Sequence, residues 1–459
     1  MNKLTLLILF ILVYSIHFIQ AKEVNQFSFW VAGHSYGAHA GGNIGLHPPF
    51  LKKLSENMDS TIFALFLTGD IVNYSTEESW NKVATELENL GINSYYVMGN
   101  HDNNALGHLV FNEKHGGTYY SFSYHNQLFI VLNSTLKDRS ISQDQLEFLQ
   151  NCLDNAGQNI QRVFLFFHEV LWNSHDQYKN VLSNSRSRYN QIKPLSNYWI
   201  QVHPLLIAFR KDVFIFAGDV AGNTDAIPAF YDKWDNVTFI ASGMGEVEDE
   251  NYLIVSVIDD SVSMELIPLK ENIDMKPIEF YALPDQPDTI YGYKIVAPGM
   301  KNVDYTISEI FNATSIHWTL SDGMTGMSSS HLISVDFSDK FKCGAISVQT
   351  EHTGFGLSEP KSLMVESDQQ NFVAQFDENY KINWKKIDDR LIVDFSDFLF
   401  EKVQIELMDI TGKRFYHETF VPDGFHISGS IGIQSLPMGT YFLVAIGQKF
   451  TEIHRVMIP

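Results

Sequence analysis

Cysteine is nearly absent: the 459 residues contain two, Cys152 and Cys343. A chain this long without a cysteine framework must draw its stability from buried apolar cores rather than disulfides. Basic residues are also scarce, with 32 Lys and Arg against 54 Asp and Glu and a formal net charge of −22. Such a surface repels polyanions, which argues against broad nucleic-acid or anionic-membrane binding. A small phosphate ester held locally by a cation remains compatible with it. Long apolar runs are confined to the first 21 residues. There Lys3 precedes "LTLLILFILVYSIHF", and "IQA" ends in a small residue at Ala21, the pattern of a secretory signal peptide over residues 1–21. The run is short for a membrane span, and no transmembrane span is expected in the mature chain. Four N-x-S/T triplets start at Asn73, Asn133, Asn236 and Asn312. At this length they decide nothing.

The composition is 45% hydrophobic, enough for several cores. From Lys22 to about residue 275, strand and helix signals alternate. "FSFWVAG", "IFALFLTGD", "SYYVMGN", "RVFLFFHE" and "DVFIFAGD" read as buried strands, each closed by a glycine or a polar residue. "TEESWNKVATELENLG" reads as an amphipathic helix ended by Gly91, and "SISQDQLEFLQNCLDNAG" as a second, capped by Ser142. The alternation predicts an α/β layered domain. "NQLFIVLNS" and "NYLIVSVIDDSVSMELIPL" look like hairpin strands, which makes the sheet mixed. After Pro277 helix signals stop. Short strands at regular spacing predict an all-β sandwich over 284–368 and a second all-β unit over 378–459, separated by the polar "ESDQQNFVAQFDENY".

Ligands of open α/β sheets sit beyond the carboxyl ends of the strands. Here those ends carry Gly33-His34-Ser35, Gly69-Asp70, Gly99-Asn100-His101-Asp102, His168 and Gly218-Asp219. Carboxylate and amide oxygens with imidazole suit a divalent ion such as Mn, Fe or Zn. An ion held this way acidifies water and neutralises charge on a phosphate ester. His101, next to a ligand, is placed to protonate a leaving oxygen, and Asp102 to fix its tautomer. Adjacent strand side chains point to opposite faces, so His34 should point away from Gly33 and Ser35, unless the alternation fails at the strand end. His39 and His47 share its glycine-rich loop, either as a replacement site or as plain loop residues.

"LTGDIV", "VMGNHD", "FFHE" and "FAGD" stand in an order and spacing that resemble the calcineurin-like metallophosphoesterases. "YYSFSYHNQLFIVLNS" followed by "ISQDQLEFLQNCL" resembles that family's central hairpin and following helix. The resemblance covers about residues 27–270. It implies a four-layer αββα domain over 22–275 with a metal site that hydrolyses phosphate mono- or diesters. The chain departs from the family's pattern at its first motif, where Gly33 and Ser35 replace ligands, and at its last, where Asp219 and Ala221 stand. Carried over residue by residue, one metal keeps Asp70, Asn100 and His168, with Asp219 as its fourth donor. The other loses all but the shared Asp70. One divalent ion is therefore expected. Gly33→Asp, Ser35→His and Ala221→His should then create a second site.

The tail, "VQIELMDITGKRFYHETF" and "SLPMGTYFLVAIGQKFTEIHRVMIP", resembles the C-terminal sorting domain of the bacterial type IX secretion system. "IHWTLSDGMTG" and "GAISVQTEHTGFG" resemble PKD-like, immunoglobulin-type modules. These resemblances imply a secreted or cell-surface protein exported across the outer membrane, with the type IX machinery as partner. The expected function is hydrolysis of a small organic phosphate ester. The alternative is an inactive metallophosphoesterase-like scaffold that binds a surface partner, since Gly-Asp and Gly-Asn also make good turns.

Overall fold

The computed structural model describes residues 26–458 apart from 105–106, 136–138, 186–195, 368–381, 388–389, 397–402, 410–412, 421–425, 435 and 447–450. The signal-like residues 1–21 lie outside the described residues. The chain forms two compact units, one running to Leu283 with Gly354–Gly356 added, the other made of the rest.

In the first unit the strands are β1 (Gln26–Ala32), β2 (Ile62–Thr68), β3 (Ser94–Val97), β4 (Tyr120–Tyr124), β5 (Gln127–Val131), β6 (Arg162–Phe166), β7 (Val213–Ala217), β8 (Ala229–Trp234), β9 (Val237–Ser242), β10 (Asn251–Ile258) and β11 (Ser261–Pro268). They make two mixed sheets, ordered β11-β10-β1-β2-β3 and β4-β5-β6-β7-β9-β8. β1, β2 and β3 are parallel, as are β5, β6, β7 and β9, so their carboxyl ends fall on one side of each sheet. Antiparallel strands take the remaining places, β10 and β11 in one sheet and β4 and β8 in the other.

Strand alternation builds the layers. Phe27, Phe29 and Val31 belong to one buried cluster, while Trp30 and Ala32 belong to another. The Phe29 ring lies edge-on to Phe66 of its own sheet and to Phe129, Phe164 and Phe216 of the other. Each such ring contributes roughly 1.5–3 kcal/mol by leaving water. The aromatic layer also sets the gap between the sheets. Trp30 faces outward, where Phe50 and Leu54 of α1 (Pro48–Glu56), Trp80, Val83 and Leu87 of α2 (Glu77–Leu90) and Phe111 of α3 (Gly107–His115) cover it. On the second sheet α4 (Gln143–Asp154) buries Leu146, Leu149 and Leu153. The result is the expected four-layer αββα arrangement. Capping follows the sequence: Thr76 Oγ1 accepts from Ser79 N, Gly91 closes α2 at φ 67°, and Ser142 caps α4.

The second unit is all-β. Val303–Thr306, Leu332–Phe337 and Met324–Thr325 form one sheet, and a second joins Ile295–Val296, Lys361–Ser367, Cys343–His352 and Ser315–Leu320. They share a core of Tyr305, Val335, Phe337, Ile346, Val348 and Val365. Further on, Ile382–Ile387, Arg390–Ser396 and His426–Gly432 pair, and so do Arg414–Phe420, Val403–Asp409, Gly439–Ile446 and Thr451–Ile458. Leu391, Val393, Ile405, Leu407, Leu443 and Val456 fill that core.

Candidate metal centre

The carboxyl ends of β1, β2 and β3 in one sheet meet those of β6 and β7 in the other. Two glycines allow this approach: Gly33 after β1 and Gly218 after β7 pack backbone to backbone, and each would clash through a Cβ. Asp70 follows β2 in a left-handed turn, at φ 51°. A short polar side chain tolerates that region.

Ligand atoms of Asp70, His168 and Asp219 all lie within 4.8 Å of one another, and all three residues are buried. His168 Nε2 is 3.2 Å from Asn100 Oδ1, 3.4 Å from Asp70 Oδ2 and 3.8 Å from Asp219 Oδ1. His168 Nδ1 is 2.9 Å from the Thr68 carbonyl. A carbonyl only accepts, so Nδ1 carries a proton and Nε2 is the atom turned to the acids, the second-shell pattern of a ligating histidine. Asp219 Oδ2 accepts from Ser185 N at 3.3 Å, while Oδ1 is buried with no hydrogen-bond partner. An orphaned carboxylate oxygen is costly unless a cation meets it. The four residues named from the sequence as ligands are therefore brought together, and their donor set fits a divalent ion.

The electrostatics point the same way. Burial opposes a charged imidazole at His168, yet the carboxylates of Asp70 and Asp219 raise its pKa well above the ordinary value. Burial opposes the Asp70 charge too, but His168 and His34 hold its carboxyl below the usual range. Asp219 is raised, by burial first. Two buried acids at one point demand positive charge there. Behind them Glu169 is pushed up to about 8 by burial and by Asp219. Arg139 Nε lies 3.5 Å from its carboxylate.

His101 lies over this cluster. Its N–H donates to Asp70 Oδ1 at 2.8 Å. Nδ1 meets the Asn73 carbonyl at 3.0 Å, and Nε2 is 3.4 Å from the Tyr36 hydroxyl. Asp102 does not orient this ring, contrary to the sequence-based expectation. It is buried and spent on loop backbone, accepting from Ile71 N and Val72 N through Oδ1 and from Gly99 N through Oδ2. The chain turns between His101 and Asp102, so neighbours in sequence face different ways. The orienting acceptor is the Asn73 carbonyl, and Asp102 is a structural residue.

His34 also departs from strand alternation. At φ 52° it leaves the strand and swings inward. Nδ1 donates to the Met244 carbonyl at 2.9 Å, and Nε2 stands 3.8 Å from Asp70 Oδ2. His39 pairs with Asn73, Nδ1 to Oδ1 at 2.7 Å. His47 turns elsewhere, to Glu250 at 3.3 Å. A cavity of about 350 Å³ opens over the cluster, with His34, Tyr36, His39, His101, Asp219 and Asn184 among its lining residues. Tyr36, Asn184 and Ser185 carried no sequence signal, and Asn73 only an N-x-S/T triplet, because none stands at a strand end.

Mixed carboxylate, amide and imidazole donors at the strand ends of an αββα sandwich define a metallophosphoesterase-type domain. Residues 39–202 match the family model of calcineurin-like phosphoesterases. The first unit thus carries a calcineurin-like metallophosphoesterase domain. The chain is similar to a probable cyclic nucleotide phosphodiesterase of Coxiella burnetii, 29% identical over 125 residues, which are 26% of this chain and 50% of that protein. This chain therefore spans about half the length of that relative. A purple acid phosphatase from yellow lupin seeds is similar at 13% identity and a TM-score of 0.42, over 54% of this chain and 52% of its own.

Proposed function

We propose that the chain is a secreted, metal-dependent phosphoric ester hydrolase that acts on phosphate mono- or diesters with one divalent ion, Mn, Fe or Zn. The observation that carries this reading is the convergence of Asp70, His168 and Asp219 within 4.8 Å, with Asp219 Oδ1 unpartnered. Asn100 completes the set. A divalent ion bound there would neutralise phosphate charge and acidify water. The residues around it do the positioning. The Thr68 carbonyl holds His168, and Ser185 N holds Asp219. The Asn73 carbonyl fixes His101 Nδ1 as a donor, so the proton exchanged with the ester oxygen is the one at Nε2. Burial and nearby carboxylates keep the Tyr36 phenol protonated, a donor beside that nitrogen.

The residues themselves support one ion rather than two: Gly33, Ser35 and Ala221 offer no carboxylate or imidazole at the departing motifs, and His34 Nε2 stands 3.8 Å from Asp70 Oδ2. Export rests on the signal-like residues 1–21 and on the resemblance of the tail to a type IX sorting domain. The test combines elemental analysis of the purified protein with hydrolysis of bis(p-nitrophenyl) phosphate in Mn²⁺. About one ion per chain and turnover lost in His101→Ala are expected. No bound metal after soaking and no turnover would favour the inactive scaffold.

A further inference from the structure

Resting on the phosphoesterase reading, we propose that the alcohol part of the ester is a flat aromatic group, seated on Tyr74 and His39. The leaving oxygen departs on the side of His101, so its substituent must lie against whatever borders that ring. What borders it is a run of rings. The His39 centroid is 5.8 Å from His101, and the Tyr74 centroid is 6.0 Å from His39. His39 lines the cavity, and the Tyr74 ring packs against His39. Among the described tyrosines of this unit, Tyr74 is 60% exposed and Tyr119 37%.

His39 is also held for the task. Asn73 Oδ1 receives its Nδ1 proton, and Asn73 Nδ2 donates back to the His39 carbonyl at 3.3 Å. Asn73 immediately precedes Tyr74, so one short segment sets both rings. Two solvent-facing rings, His39 held by Asn73 and Tyr74 packed on His39, form a stacking wall beside a phosphate site, which favours a planar partner over a puckered one. An aryl or benzyl alcohol meets that requirement, and a saturated alcohol does not.

The test uses the full chain loaded with Mn²⁺ and two non-hydrolysable probes of equal size, benzylphosphonate and cyclohexylmethylphosphonate. Calorimetry on the wild type should favour the benzyl probe by roughly three- to tenfold. Tyr74→Ala should remove most of that preference, and Tyr74→Phe should keep it. Because Tyr74 is exposed, neither change threatens the fold. Equal binding of the two probes by the wild type, or a preference untouched in Tyr74→Ala, overturns the proposal. Hydrolysis of the matching benzyl and cyclohexylmethyl phosphate esters is scored separately. A chain that binds with Tyr74 dependence but turns over no ester supports the seat and sinks the hydrolase reading. A chain that hydrolyses both esters without Tyr74 dependence does the reverse.

Discussion

Gly33 and Gly218 touch through their backbones: a Cβ on Gly33 would lie 2.3 Å from Gly218 Cα, and one on Gly218 2.7 Å from Gly33 Cα. This contact joins the two sheets where the site forms. The ligand missing at position 33 has therefore been replaced by a packing contact, and Gly33→Asp cannot restore it. The variant should lose stability by several kcal/mol, in the range of overpacked core changes. A thermal melt, with metal content measured beside it, checks this. A stable Gly33→Asp protein that binds two ions would refute the argument.

His101 and Asp102 should separate cleanly on mutation. His101→Ala should lower turnover roughly 10²-fold with metal content unchanged. Asp102→Ala leaves three buried N–H groups without an acceptor, each costing about 1–3 kcal/mol, and should not fold well. Asp102→Asn should melt lower than the wild type, yet keep its pH–rate profile. A shifted profile would restore Asp102 to the proton path.

Asp219 should trade stability against metal. Its carboxylate is raised by burial and opposed by the Asp70 charge, so Asp219→Asn should melt no lower than the wild type in chelator. Added Mn²⁺ stabilises a binding protein by about 2.7 kcal/mol at a hundredfold excess over Kd. The wild type should show that rise, and Asp219→Asn much less of it. Differential scanning fluorimetry across a Mn²⁺ series decides the point.

His115 should make stability fall in acid. Burial, with Lys114 adding to it, lowers its pKa to about 4. Its ring is stacked on Tyr96 at 3.9 Å, and its Nε2 has no partner. The unfolded chain binds a proton near 6.5 and the folded chain does not, so stability is full above that value and drains as pH falls from 6.5 towards 4. The loss between pH 7 and 5 should be on the order of 1 kcal/mol. His115→Phe should flatten that part of the profile in urea melts.

Removal of residues 378–459 tests the export proposal. The truncated chain should stop in the periplasm, because a signal peptide acts at the inner membrane and a sorting tail at the outer one. Immunoblots of cell fractions report the outcome. Normal surface delivery would reject the tail's assigned role.

The convergence of Asp70, Asn100, His168 and Asp219 was legible where the rules are local, because buried strands are easy to bound and polar strand ends meet where parallel strands end. The helix ends at Gly91 and Ser142 were legible because capping chemistry is local. His34 was not, since strand alternation gives no warning of a residue at φ 52°. Asp102 misled because neighbours in a tight turn diverge. Ser185 supplies its N–H to Asp219 across 34 positions, a pairing that only the closed fold creates.

Asn73 is where the acid and the wall are tied together: its carbonyl accepts a hydrogen bond from His101 Nδ1, and its side chain clasps His39 from both ends. It also opens the triplet Asn73-Tyr74-Ser75, an acceptor for N-linked glycan. The amide nitrogen that would carry the sugar is the one that donates to His39, in a residue only 5% exposed. Passage through a eukaryotic secretory pathway exposes that nitrogen to modification before the fold closes over it. A glycan there would take the nitrogen that donates to His39, so bacterial expression, or Ser75→Ala in a eukaryotic host, keeps that clasp intact.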